Sequence, residues 1–252
     1  MKARTKPKKK KPFRFRLILF LLLLVPIGLG VYYVLSLPIW NIQEVVVNGA
    51  KMLSAEEIKD LSGVPISENL FLSSFARVRS NLGKITAIKK INIYRIPPAT
   101  VLIRIEERKP IAVVILEDKS AIVDGDGFIL NRNPNLTLNV PNMTELPVVL
   151  GIASPEGESA ERINLQASQL ISNIIPELTN FLGSRHIQID IGGFEKISFL
   201  LDDLLRVKIG RDEEIKKKMD VFKALMPVIE DKWSQVEHVD VRYPDNPVIR
   251  YR

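Results

Sequence analysis

The sequence predicts an α+β protein: a single N-terminal transmembrane helix, then a small β-α-α-β-β unit, then a β-rich region with flanking helices. Three observations predict it. An uncharged apolar run of 21 residues, Leu17 to Leu37, stands alone in a chain of 252. Beyond it, short stretches alternate apolar and polar side chains, as half-buried strands do. Between those stretches, apolar residues recur at the 3.6-residue spacing of amphipathic helices.

The net charge of +7 belongs to one end of the chain. Residues 1–16 hold nine Lys and Arg and no acid, and the rest of the chain carries 27 basic against 29 acidic side chains. The charge of so nearly neutral a body does not support a basic face for nucleic acid. At about 1.5 Å rise per residue, the run 17–37 reaches roughly 30 Å, the thickness of a bilayer's hydrocarbon core. It is too long for the apolar region of a signal peptide, and no A-x-A cleavage site follows it. Pro26, Gly28 and Gly30 are tolerated in lipid, and Tyr32, Tyr33 and Trp40 suit the interface at its far end. The basic flank precedes the span, and no charge follows it until Glu44 and no cation until Lys51. The positive-inside rule then keeps residues 1–16 in the cytoplasm and sends everything after Leu37 across the membrane. The nine cations also suit anionic lipid at the cytoplasmic surface. The chain has no cysteine, which excludes disulfides and thiol chemistry in the exported part.

From residue 40 to 108 the elements follow in a compact order. "IQEVVV" reads as a strand ended by the turn pair Asn48-Gly49. "SAEE" supplies a capping box between Ser54 and Glu57, with Ile58 and Leu61 as the buried side of a short helix. "SSFARVRSNLGK" predicts a second helix with Phe75, Val78 and Leu82 on one stripe. "AIKKINIYRI" and "TVLIRIEER" are two strands separated by Pro97-Pro98, with Val101, Ile103 and Ile105 alternating with Leu102, Arg104 and Glu106.

Residues 109–252 form the β-rich region. "IAVVILED" and "SAIVDGDGFIL" predict strands joined at Asp118-Lys119, the second broken by "DGDG". Residues 131–157, rich in Asn and Pro, predict an irregular surface excursion around the apolar "LPVVLGI". A helix is expected from about Glu158 to Ile175, with Ile163, Ala167, Leu170, Ile171 and Ile174 inward. "HIQIDI" and the hairpin "KISFLLDDLLRVKIG", turning at Asp202-Asp203, come next. A last helix begins near Asp212, buries Ile215, Met219, Phe222, Leu225 and Met226, and kinks or ends at Pro227. "HVDVRYPDNPVIRYR" closes the sequence as two strands about the turn Pro244-Pro247. The last of them, as a sheet edge, would offer unpaired backbone groups to another strand.

These pieces in this order resemble the bacterial division proteins FtsQ and DivIB over nearly the whole chain. "IQEVVVNGAKMLSAEEIKDLSGV" with "ENLF" is similar to the opening of the family's POTRA domain, and "INIYRIPPATVLIRIEERKPIAVV" to its close. "VDGDGFIL", "LPVVLGI", "RVKIG" and "VDVRYPD" resemble landmarks of the family's β domain. The resemblance implies a cytoplasmic tail (1–16), a span (17–37), a POTRA domain (40–108) and a β domain (109–252). It also implies a non-catalytic scaffold of the division septum that links early and late division proteins to control septal peptidoglycan synthesis. In such proteins the C-terminal edge of the β domain receives a strand from FtsB, or DivIC in Gram-positive relatives, and FtsL joins them. Carried to matching positions, Arg242, Tyr243, Val248, Ile249 and Arg250 form the contact strip by β-augmentation. One departure stands out: the family more often has glycine after the aspartate of the "RYPD" turn, where this chain has Asn246-Pro247. Asn tolerates the left-handed conformation, whereas Pro247 removes a backbone donor. The POTRA sheet edges near Ile42–Val47 and Ile88–Tyr94 are a second docking candidate.

No motif for catalysis, a cofactor or a metal accompanies this. His186 and His238 lie in no ligand spacing, and no nucleophile elbow or phosphate loop exists. Asp124-Gly-Asp126-Gly lacks the further ligands of a calcium loop and reads as a turn. No small-molecule substrate is expected. Two rival classes remain. An outer-membrane assembly or polypeptide-transport factor also uses POTRA units, but in tandem or before a membrane β-barrel. A membrane-anchored wall hydrolase needs a paired-carboxylate or zinc site.

Overall fold

The computed structural model describes residues 13–117, 119–154 and 160–252. The expected basic tail up to residue 12, Asp118 in the first turn and the expected helix start at Glu158 lie outside them. Helix α1 (Phe13–Leu35) is continuous through Pro26, and its described side chains between Ile18 and Val34 are exposed. Among the described residues no helix is long and apolar enough to cross a membrane. The side chains of residues 13–17 and of Leu19, where the expected span begins, are outside the described set.

The first sheet takes β1 (Glu44–Asn48), β2 (Ile88–Ile96) and β3 (Thr100–Glu107) in the order β1-β3-β2. β1 runs parallel to β3, with Val45 opposite Val101 and Val47 opposite Ile103, while β2 is antiparallel to it. Alternation along β3 buries Val101, Ile103 and Ile105 and leaves Arg104 and Glu106 to water. Helices α2 (Ala55–Ser62) and α3 (Ala76–Gly83) cover the apolar face with Ile58, Val78 and Leu82. The capping box at the start of α2 forms, Ser54 N–H donating to Glu57 Oε2 at 3.3 Å. Leu61 departs from expectation: it is exposed, and Ser62 is buried in its stead. Asn81 of α3 donates to the Ser62 carbonyl at 3.3 Å and ties the two helices together there.

The second sheet has eight strands: β4 (Pro110–Leu116), β5 (Lys119–Asp124), β6 (Val148–Leu150), β7 (Ile187–Asp190), β8 (Ile197–Leu201), β9 (Leu205–Gly210), β10 (Val236–Asp240) and β11 (Val248–Tyr251). Their spatial order is β11-β10-β9-β8-β7-β6-β4-β5. The β8–β9 hairpin turns at Asp202-Asp203, both with positive φ (49° and 57°), and Leu204 N–H closes the turn on the Leu201 carbonyl at 3.0 Å. Helices α4 (Leu165–Leu182) and α5 (Ile215–Glu230) lie on one face. Phe222 packs edge-on against Phe199 of β8 at 5.1 Å and near Phe181 of α4 at 6.2 Å.

Both helices start and stop later than expected. Residues 160–164 are not helical; α4 starts where the Asn164 side chain accepts from Ala167 N–H at 2.8 Å, and it continues past Ile175. α5 begins at Ile215, three residues after Asp212, and runs through Pro227 to Glu230, so the proline does not end it. Pro176 and Pro227 are both on the solvent side, so water can hydrogen-bond the carbonyl each proline leaves free.

Residues 131–147 are irregular but for a single 3-10 turn, and the apolar stretch after them supplies β6, yet the segment is not confined to the surface. Val140 is buried and Leu136, Leu138 and Leu146 pack on the core of the first sheet, together with Ile122 and Leu130 of the second region. Asn139 N–H donates to the Met52 carbonyl at 2.9 Å. Asn and Pro suppress regular structure without forbidding burial of the leucines between them.

Where the two sheets meet, Arg108 is the common element. Its N–H donates to the Ala87 carbonyl beside β2, and its guanidinium pairs with Asp124 at the end of β5 at 2.8 Å. The two side chains are only 12% and 6% exposed. The other Asp124 oxygen accepts from the N–H of Asp126 and Phe128, forming the "DGDG" turn. The Phe128 ring is sandwiched by Arg108 at 3.4 Å and Arg162 at 3.7 Å. Gly127 (φ +79°) lets α4 close on the turn, since a Cβ there would stand 2.6 Å from Ser168 Oγ. Asp124→Ala should therefore destabilise the protein by about 3 kcal/mol, because it leaves the buried guanidinium only the more distant Asp126, at 3.6 Å, and the turn unsupported. Asp124→Asn, which keeps an acceptor for the turn, should cost less, as read by urea titration followed by circular dichroism.

Candidate functional edge of the eight-stranded sheet

The two ends of the large sheet are treated differently. On the outer side of β5, Leu130 N–H donates to the Ile122 carbonyl, Ile122 N–H to Asn131 Oδ1, and Asn131 Nδ2 to the Ser120 carbonyl. That edge is sealed by the chain itself. At the other end β11 pairs antiparallel with β10, His238 opposite Arg250, Val239 opposite Ile249 and Asp240 opposite Val248. Among the described residues no strand pairs with its outer side.

Which backbone groups face outward follows from one bond. Arg252 N–H donates to the Gln235 carbonyl at 2.8 Å, on the β10 side. Successive residues of a strand direct their N–H and C=O to opposite sides. The register shift between Val236 and His238 adds its extra residue to β10 and leaves the alternation of β11 intact. Val248 and Arg250 therefore bond to β10, whereas Ile249 and Tyr251 aim both backbone groups at the open edge. Pro247 shares their side. Its missing N–H costs the β10–β11 ladder nothing and only shortens the open edge at one end.

The five residues expected to form a contact strip divide by role. Tyr243 (72% exposed) and Val248 (51% exposed) present bare side chains to water. Arg250 is also exposed, its Nε 3.0 Å from Glu237 Oε2. Ile249 turns its side chain onto the core and offers only its backbone. Arg242 is held in place: its N–H and guanidinium make four bonds to the Asp240 carboxylate, at 2.7–3.1 Å. Its stem crosses Gly210 (φ +75°), where a Cβ would stand 3.0 Å from Arg242 Cγ. The connecting turn is closed by Asn246 N–H to the Tyr243 carbonyl and anchored to α5 by Lys217 to Asp245 at 2.8 Å. The hydrogen bond to Asp245 raises the Lys217 ammonium above its ordinary value.

Burial works to raise the Asp240 carboxyl, but the hydrogen bonds of Arg242 and the charges of Arg242 and Lys208 outweigh it and hold the group below the ordinary aspartate range. The hydrogen bonds to Asp240 in turn raise the Arg242 guanidinium. Lys208 Nζ lies 3.3 Å from His238 Nε2 on the same helix-free face, beside a shallow groove of about 360 Å³ lined in part by Lys196, Ser198, Arg206 and Arg242. Sequence reasoning missed Asp240, Lys208 and Tyr251. The alternation in "VIRYR" could have flagged Tyr251; the Asp240 clamp depends on the chain bending at Val241-Arg242, which no local signal marks.

In the first sheet β1 and β2 are both edges, with β3 between them. Tyr94 and Ile96 of β2 are exposed. Arg95 turns inward instead, donating to the Leu70 and Ser73 carbonyls and stacking on Phe75. Among the described residues no group of three or more His, Asp or Glu could hold a metal ion.

The family model for the FtsQ-type POTRA domain matches residues 40–108. The chain is 25% identical to a cell division protein FtsQ of Streptomyces bingchenggensis, across 89% of this chain and 82% of that protein. It is 25% identical to a cell division protein DivIB of Clostridium tetani, across 84% and 80% of the two chains. Against a cell division protein FtsQ of Geotalea daltonii the identity is 20%, covering 88% and 80%.

A depressed carboxyl contributes stability that is present above the ordinary aspartate range and is lost as the pH falls through the lowered value. The Asp240 clamp should accordingly persist at neutral pH and open only in acid. A carboxyl carbon NMR titration should show Asp240 titrating below exposed aspartates. In Arg242→Ala, with burial unopposed by that partner, it should move upward.

Proposed function

Because this chain belongs to the FtsQ/DivIB family of bacterial cell-division proteins, we propose that it is a non-catalytic, membrane-anchored scaffold of the division septum. Residues 17–37 cross the plasma membrane once, with residues 1–16 in the cytoplasm. The POTRA domain (40–108) and the β domain (109–252) stand on the far side. There they hold FtsB/DivIC-like and FtsL-like partners and link early to late division proteins, so controlling septal peptidoglycan synthesis. The uncharged apolar run from Leu17 to Leu37 and the exposed apolar side chains of α1 support the span.

The observation that carries the scaffold reading is the contrast between the sealed edge at β5 and the open one at β11. An edge that the chain leaves unpaired, flanked by bare Tyr243 and Val248 and by fixed Arg242, is suited to accept a strand from another protein. The incoming strand bonds to the backbone of Ile249 and Tyr251, and its alternate side chains meet Val248 and Arg250 on one face.

Depletion in cells should give filaments without septa; normal septation with loss of outer-membrane proteins would instead favour a transport or assembly role. At the edge itself, Tyr243→Ala and Val248→Asp should abolish co-purification of the FtsB-like partner while circular dichroism stays unchanged. Tyr251→Pro should do the same, because it deletes an outward N–H and spares the β10 ladder. Retention of the partner by all three variants would exclude this edge.

A further inference from the structure

The first unit is fastened to the end of α1 by two side chains. Asn69 Nδ2 donates to the Leu35 carbonyl and Trp40 Nε1 to the Val34 carbonyl, each at 2.7 Å. These are carbonyls in the last turn of α1, which otherwise have no partner within the helix. Trp40 packs edge-on against Phe71 at 5.3 Å, and Leu70 N–H donates to the Trp40 carbonyl. Ser67 N–H donates to Ile42 in the same place. The loop 65–72 is thus fixed beside the helix end.

That position has consequences for depth. From Leu17 to Leu35 the helix rises about 28 Å at roughly 1.5 Å per residue, so Leu35 falls at the outer boundary of a hydrocarbon core about 30 Å thick. A residue three positions from Asn69 is at most about 11 Å from it at ~3.8 Å per residue. The polar layer of a leaflet is itself about 5–8 Å deep. Around this point three large apolar side chains are exposed: Ile39 (60%), Ile66 (51%) and Leu72 (53%). Charge is withheld from the same region. Leu17 to Gln43 carries none, and between Asp60 and Arg77 the only charged residue is Glu68. Its carboxylate takes a hydrogen bond from Ser73 Oγ at 2.9 Å.

We propose that the loop 65–72, with Ile39, is a second membrane contact, its apolar side chains seated among the headgroups and upper acyl chains of the outward leaflet. This rests on the reading of residues 17–37 as a span. Three exposed apolar side chains at that depth gain from leaving water, and a loop with one hydrogen-bonded carboxylate loses little by entering. Trp40 suits the same layer, with an apolar ring and an N–H already bonded. The POTRA unit then stands on the bilayer at two points and cannot swivel about its tether, which sets the height and facing of the β11 edge.

The chain has no cysteine, so single labels can be introduced without background. Full-length Ile66→Cys, Leu72→Cys, Val25→Cys and Tyr243→Cys would be labelled with an environment-sensitive fluorophore and reconstituted in phosphatidylcholine–phosphatidylglycerol vesicles. Nitroxide lipids, spin-labelled either near the headgroup or near the acyl-chain end, report depth. The expected result is a blue shift at positions 66 and 72, several-fold stronger quenching by the shallow nitroxide than by the deep one, and neither effect at 243. Labels at 66 and 72 that behave like the label at 243 while the label at 25 is quenched by the deep nitroxide would overturn the footing and leave the span standing. Failure of the deep nitroxide to quench the label at 25 would overturn both.

Discussion

The ion pair between Arg108 and Asp124 is the constraint on which the rest of the architecture depends. Arg108 is the first residue after β3 and lies two residues before β4, so every contact it makes fixes one sheet relative to the other. Its backbone holds β2, its charge holds the end of β5, and its planar face holds Phe128. A buried pair such as this adds little net stability over a well-packed apolar pair, because desolvation offsets the attraction. What it does supply is geometry: one Asp124 oxygen takes Arg108 Nη1 and the other takes the two turn N–H groups, a division that fixes the carboxylate in one arrangement. The turn then places Arg162 on the second face of Phe128 and Ile163 N–H on the Gly127 carbonyl, which fixes where α4 begins. Leu136, Leu138, Val140 and Leu146 add to the core of the first sheet beside Ile122 and Leu130 of the second region.

Rigidity at that junction matters for an edge at the opposite end of the second sheet. β11 is seven strands away from β5, and its position is set strand by strand from the junction. Twist accumulates across such a sheet, so the direction of the open edge depends on the fixed end. The Asp240–Arg242 clamp acts locally to the same purpose. It bends the chain out of β10 and leaves Tyr243 clear of the sheet, and the Lys217–Asp245 contact stops the returning turn from wandering.

Much of this was legible in the sequence wherever a local rule and the tertiary environment agree. Ser54 with Glu57 capped α2, Asp202-Asp203 turned the hairpin, and the alternation in "VLIRIEE" buried the residues it indicated. Legibility failed where a neighbour decided the outcome. Leu61 faces water while Ser62 is buried beside α3, because the rotation of α2 is set by its packing and not by composition. Pro176 and Pro227 did not stop their helices because both rings face water, a fact about rotation that composition does not carry. Residues 131–157 are polar on average, yet Leu136, Leu138 and Leu146 pack on the core of the first sheet. At the candidate edge the alternation of β11 was readable, but its phase was not. That phase is fixed by the pairing with β10, read from the bond between Arg252 N–H and the Gln235 carbonyl, and it puts Pro247 on the open side.

An edge left open must still be kept from pairing with its own copies, and the residues around β11 meet that need. The strand has only four residues, is preceded by a proline that lacks an outward N–H, and carries Arg250 and Arg252 at alternate positions. Short length, proline and charge are the usual protections of exposed edges. Two copies meeting here antiparallel would bring arginines of like charge close together over a ladder of few bonds. A partner strand with acidic residues at alternate positions would meet the same arginines favourably and gain the same backbone bonds. Short length, proline and like charge thus work together against pairing of this edge with its own copies.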